Sequence, residues 1–192
     1  MRITLIAHGP TAGTRAGVFG DQAGLLDVPP VGLRHARVVW TAPEPACLQT
    51  AALLNPDGHE PTTEVLDDLR GPVMGEWTGL ALDELIARDP QALQQWLRDP
   101  AVRPPHGESL AAHMARIGVT LDGHPWPDAG AVVVATPFTV RAACLHALGA
   151  GVGALGHLDV APGTRARITR HAGTWRLAAL TPPRLCSTPG NA

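Results

Sequence analysis

The chain contains no lysine and no tyrosine, only two phenylalanines and only three cysteines. It also has no apolar run near the roughly 18 residues that a membrane-spanning helix requires. Each absence removes a class of function. Without lysine, all 15 basic side chains are arginines, and the formal net charge is −2. A dedicated nucleic-acid binder needs a basic face, so none is expected here, nor is a membrane partner. The arginine-only usage, with abundant Ala, Gly and Pro, reads as coding bias. It makes arginine the one strong cation of the chain, and a missing arginine is therefore informative. Cys47, Cys144 and Cys186 are odd in number, widely spaced and without a Cys-x-x-Cys pair. They read as buried free thiols of a reducing compartment rather than as a disulfide. The opening "MRITLIAHG" carries an apolar run too short for a secretion signal, and the expected location is cytoplasmic.

What remains is ample for a packed domain. With 192 residues, 45% of them hydrophobic and 17% charged, a single domain over residues 1–180 is expected, followed by a frayed Pro-, Ser- and Gly-rich tail over 181–192. Residues 3–7 form a β-branched run that ends at His8-Gly9-Pro10, a strand followed by a loop. Residues 9–32 read as a long loop, 37–41 as a second strand and 47–54 as a helix stopped at Asn55-Pro56. The segment "GLALDELIARDPQALQQWL" reads as two helices broken where Asp89 precedes Pro90. Leu110, Met114, Ile117 and Leu121 recur on one helical face. The run "AVVVA" at 131–135 lacks alternation, as a strand covered on both faces does. Residues 140–148 resume a helix, and the strands around His171-Ala172-Gly173-Thr174 read as an antiparallel hairpin. Alternating strands and helices predict an α/β fold with three layers, a mostly parallel central sheet between helices.

In such sheets ligands bind beyond the carboxyl ends of the strands, which here read "IAHGPT", "VVWTAPEPACLQTA" and "VVVATPFTVRAA". Together with "GEWTGLALDELIARDPQALQQWL" and "PPHGESLAAHMARI", these segments resemble the histidine phosphatase (phosphoglycerate mutase-like) superfamily over about residues 3–180. The resemblance implies a histidine after the first strand that attacks phosphorus, two arginines and a second histidine that bind the phosphoryl oxygens, and a carboxylate that protonates the leaving group. Carried across, the nucleophile falls on His8. The arginines fall on Ala7 and Ala46, and the second histidine falls on Thr136, after Ala135. The carboxylate falls near Gly71, with Asp67, Asp68, Glu76 and Glu108 left as candidates. Residues 27–41 leave little room for the helix the family places in its first crossover.

A charge-assisted hydrogen bond contributes about 1.5–3 kcal/mol. Losing two arginines and a histidine would thus remove on the order of 5 kcal/mol, about four decades of rate or affinity. The expected function is accordingly a repurposed enzyme whose neutralised pocket takes a larger, less anionic small molecule. His8 would act as acid/base in a cyclisation, isomerisation, elimination or hydrolysis. The expected binding residues are Ala7, Gly9, Thr11, Ala46, Glu76, Glu108, Thr136, Pro137 and Phe138. Two alternatives stay open: an inactive pseudophosphatase acting as a scaffold, and a residual phosphomonoesterase through a His8 phosphohistidine, with Arg15 or Arg70 replacing the missing arginines. Arg141 reads as a structural ion-pair partner, Thr41 as a turn residue or ligand contact, and Trp77 and Trp96 as core. Spacings of 7 and 11 among His106, His113 and His124 put no tidy pair on one helix face, so no metal is expected, nor a cofactor. A homodimer is left open.

Overall fold

The computed structural model describes residues 1–26, 38–54 and 62–183. Strand β1 (Arg2–Ala7) carries the β-branched run and is buried at Ile3 and from Leu5 to Ala7. It pairs in parallel with β4 (Ala131–Ala135), in register from Ile3 opposite Ala131 to Ala7 opposite Ala135. Beyond β4 lie β2 (Val38–Thr41) and then β3 (Thr62–Val65), both parallel. On the other side of β1 the hairpin of β5 (Arg165–His171) and β6 (Thr174–Thr181) is antiparallel. The sheet order is therefore β3-β2-β4-β1-β5-β6. Helices α2 (Pro45–Ala52), α5 (Leu110–Gly123) and α6 (Pro137–Ala147) flank it. Of these, α2 packs on β2 and β4, and α6 on β1, β5, β6 and α5. This is an α/β fold with a mostly parallel sheet, as the strand and helix alternation predicts.

Two elements depart from the reading of the sequence. Within the stretch taken as loop, residues 12–16 form a short helix, α1 (Ala12–Ala16). Thr11 and Thr14 cap it reciprocally, each hydroxyl accepting from the other's backbone N–H at 2.9 Å. Gly17 closes it at φ 65°, a conformation that glycine adopts freely. The second departure is β3, an edge strand exposed along its whole length. Its "TTEV" is β-branched, but it has neither an apolar run nor alternation to announce it. The break at Asp89 is present between α3 (Leu82–Arg88) and α4 (Pro90–Arg98), and the Asp89 carboxylate caps α4 by accepting from the Ala92 N–H at 2.9 Å.

The expected helix stop at Asn55-Pro56, the shortened crossover over 27–37, Cys186 and residues 184–192 of the tail lie outside the described residues. Thr181 is the last residue of β6. Among the described residues no helix is long and apolar enough to cross a membrane.

The main core surrounds the sheet. A second, smaller one joins Met74, Trp77, Leu85, Leu93 and Trp96, with Phe19 and Phe138 packed against it. Phe19, Trp77 and Trp96 meet edge to face with centroids 5.7–5.9 Å apart, a geometry favoured by the ring quadrupoles. This second core backs one wall of the cavity described next.

Candidate active site

Three parallel strands end at one level. The His8 N–H donates to the Ala135 carbonyl at 2.9 Å, and the Ala42 N–H donates to the Val134 carbonyl at 2.9 Å. His8, Ala42 and Thr136 thus leave the sheet side by side, and beside them opens a cavity of about 490 Å³. That volume suits a small organic molecule. Its walls come from His8, the 17–22 loop with Phe19, Glu44 after β2, residues 70–74, and Thr136, Pro137 and Phe138 at the start of α6.

His8 is 6% exposed, and its Nδ1 lies 2.7 Å from the Gly9 carbonyl oxygen. A carbonyl only accepts, so Nδ1 carries the ring proton and Nε2 keeps a free lone pair. Burial pushes the His8 pKa below its ordinary 6.5, against the opposing pull of the Gly9 carbonyl, Glu44 and Asp21. The ring is therefore neutral at pH 7, ready to take a proton or to attack.

Of the residues nominated from the sequence, the fold brings His8, Thr136, Pro137 and Phe138 to this cavity. Thr136 caps α6, its hydroxyl accepting from the Thr139 N–H at 3.2 Å. Ala7, Gly9, Thr11 and Ala46 are not part of the lining. Ala7 is fully buried opposite Ala135, and Ala46 is 3% exposed on α2. Both alanines are packed in the interior, so neither contributes surface to the cavity. The Gly9 N–H donates to Thr50, which in turn donates to the Ala46 carbonyl, so the pair ties the end of β1 to α2. Thr11 caps α1 and donates to the Asp21 carboxylate.

Glu76 faces His106 at 3.6 Å and Arg88 at 4.0 Å, away from the cavity. Glu108 is held by Arg116 at 2.8 and 3.1 Å. The same guanidinium donates to the carbonyls of Asp68, Arg70 and Gly71 at 2.6–3.3 Å and approaches His113 Nδ1 at 3.0 Å. Burial alone would raise the Glu108 pKa, but the hydrogen bonds and charge of Arg116 hold it below its ordinary 4.5. Arg141 pairs with Asp159 at 3.0 Å, Thr41 donates to the Ala42 carbonyl, and Trp77 and Trp96 are core. Among the described residues no group of three or more His, Cys, Asp or Glu side chains is placed to hold a metal.

Among the described residues the carboxylates that do line the cavity are Glu44 and Asp21, neither singled out from the sequence. Glu44 Oε1 accepts from the Gly71 N–H at 2.7 Å. A side chain from the β2–α2 loop therefore reaches Gly71, near which the resemblance places a carboxylate. The available signal was position: Glu44 is the lone acidic residue of "TAPEPACLQTA", at a strand end. Burial and the Glu44 carboxylate together push the adjacent Cys47 thiol well above its ordinary value. Asp21 accepts from Thr11 and from the Ala23 N–H at 2.8 Å.

A family model described as the histidine phosphatase superfamily, branch 1, matches residues 30–182. The chain belongs to that superfamily. A bifunctional protein of Mycobacterium tuberculosis is 34% identical over 99 residues, which are 50% of this chain and 27% of that protein. The chain thus aligns with about a quarter of the length of the curated relatives it matches. Among solved structures, a mycobacterial glucosyl-3-phosphoglycerate phosphatase superposes with a TM-score of 0.78 at 21% identity, covering 94% of this chain and 98% of its own. The alpha-ribazole phosphatase of Shigella flexneri gives 0.76 at 18% identity, covering 94% and 96%. At such identities the likeness is one of fold.

The charges at the cavity among the described residues are those of two carboxylates and one arginine. Arg70 is the one arginine among the described lining residues. Its Nε and Nη2 are engaged by the carbonyl and carboxylate of Asp67, each at 2.9 Å. Arg15, the other proposed substitute, is not in the lining.

Proposed function

We propose that this superfamily member acts on a small molecule less anionic than a phosphate ester, with His8 as the acid/base. The observation that carries this reading is the company His8 keeps. It shares its cavity with two carboxylates and with one arginine whose guanidinium is already bonded to Asp67. Phosphoryl transfer depends on positioned cations that take up charge on the equatorial oxygens. A wall of carboxylates repels the same charge. The neutral imidazole with its proton fixed on Nδ1 retains what proton transfer needs: a basic Nε2 at a pKa below 6.5. A cavity of about 490 Å³ with His8 in its wall is of the size that takes a small-molecule substrate.

The residual phosphatase is the second reading, favoured by the named activities of the two phosphatases whose fold is shared. The two part on one assay, the hydrolysis of p-nitrophenyl phosphate by the unmodified protein and by His8→Ala. Turnover at background in both is expected. Robust turnover that His8→Ala abolishes would refute the proposal and make His8 a nucleophile.

A further inference from the structure

Among the described residues that line the cavity, the Glu44 carboxylate lacks a balancing positive charge. Of the two oxygens of Glu44, Oε1 accepts from the Gly71 N–H, whereas Oε2 is shielded from solvent and meets no N–H or O–H donor among the described residues, the buried Cys47 thiol being the carboxylate's other neighbour. Among the described residues no arginine, histidine or chain terminus makes an ion pair with this carboxylate. The neighbouring charges are otherwise engaged: Asp21 by Thr11 and Ala23, Arg70 by Asp67. A carboxylate partly withdrawn from water without a countercharge is an unfavourable arrangement that a positive charge in the cavity would relieve. Phe19, Val73, Met74, Pro137 and Phe138 meanwhile give the walls an apolar character. His8, neutral at pH 7, offers no repulsion to a cation.

We propose that the ligand of this cavity carries a protonated amine on an apolar body, the ammonium seated against Glu44 and the body against Phe19, Met74 and Phe138. This rests on the reading of the cavity as a site for weakly anionic molecules, and narrows it to a chemical class. One ammonium against the carboxylate balances the charge of Glu44, and a body of modest size fills the rest of the roughly 490 Å³. Binding would leave the amine beside His8, whose free Nε2 can accept a proton from a neighbouring carbon, oxygen or nitrogen of the ligand.

The test is a calorimetric titration of the full chain with three probes that share a body and differ in the head group: 2-phenylethylamine, 2-phenylethanol and 2-phenylethyl phosphate. The amine is expected to bind about tenfold or more tighter than the alcohol, the worth of one charge-assisted hydrogen bond. Glu44→Gln should bring the amine down to the affinity of the alcohol, with circular dichroism reporting that the fold persists. Equal binding of amine and alcohol by the unmodified protein, or a preference that survives Glu44→Gln, overturns the assignment to Glu44 while leaving the weakly anionic cavity intact. A phosphate ester that outbinds both overturns the cavity reading as well, as does a chain that binds none of the three.

Discussion

Removing the Arg116 guanidinium should loosen the cavity from behind. Arg116→Met keeps the length and apolar stem of the side chain and deletes its donors. The lost contacts are two charge-assisted bonds to Glu108 and three to the carbonyls of Asp68, Arg70 and Gly71. The pair is mostly shielded, with side-chain exposures of 21% for Arg116 and 16% for Glu108. Breaking a fully buried pair costs about 3–5 kcal/mol. Discounted for this residual exposure, the expected loss is about 3 kcal/mol, or a Tm lower by about 6–12 °C for a chain of this size. Arg116→Lys should fall between, because an ammonium cannot span the carboxylate and three carbonyls together.

The effect also has a predictable pH dependence. The folded-state pKa of Glu108 lies below its ordinary 4.5, so the folded state holds this proton less readily than the unfolded chain does. The stability it contributes is present above pH 4.5 and is lost as pH falls through the folded value. The gap between parent and Arg116→Met, read by urea unfolding, should therefore narrow from pH 7 to below pH 4. A loss under about 1 kcal/mol at pH 7, or a gap that widens in acid, would refute the reasoning.

Two further predictions concern the fold. His113 is buried, and burial together with the adjacent Arg116 charge pushes its pKa down to about 4 from 6.5. Between those values the unfolded state binds more protons, so stability should fall as pH drops from 6.5 to 4, by up to about 3 kcal/mol. His113→Gln should flatten that slope in urea unfolding, leaving the smaller part that His8 contributes in the same sense; an unchanged slope would contradict the assignment. Gly75→Ala places a Cβ at 2.0 Å from the Pro105 carbonyl oxygen at φ 53°, whereas a Cβ at Gly79, φ 84°, meets nothing within 4 Å. Thermal unfolding should show Gly75→Ala losing more than about 2 kcal/mol and Gly79→Ala only about 1; equal losses would count against the close approach.

How far the sequence discloses this protein depends on whether a feature is periodic or assembled. Strands β1 and β4 and helix α5 show themselves because burial imposes a pattern on consecutive residues. The short α1 does not, since its stability comes from the Thr11–Thr14 box and Gly17 rather than from an apolar face. The edge strand β3 has no buried face to leave a mark. His8 and Thr136 are legible as strand-end residues. Glu44 is not, because its role depends on Gly71, 27 residues away, coming within hydrogen-bond distance. Glu108 misleads in the opposite direction: its position in "HGES" reads as a helix start or a pocket residue, and only the fold shows Arg116 turned back onto it. Nor do Ala7 and Ala46 disclose from the sequence that they lie in the interior and not in the cavity wall.

The central proposal is that the His8 cavity takes a ligand less anionic than a phosphate ester. Calorimetric titration of the unmodified protein with inorganic phosphate at neutral pH tests it most directly, because phosphate is the smallest ligand that needs the missing cations. The account predicts no saturable heat. Tight, saturable binding that disappears in His8→Ala would contradict it.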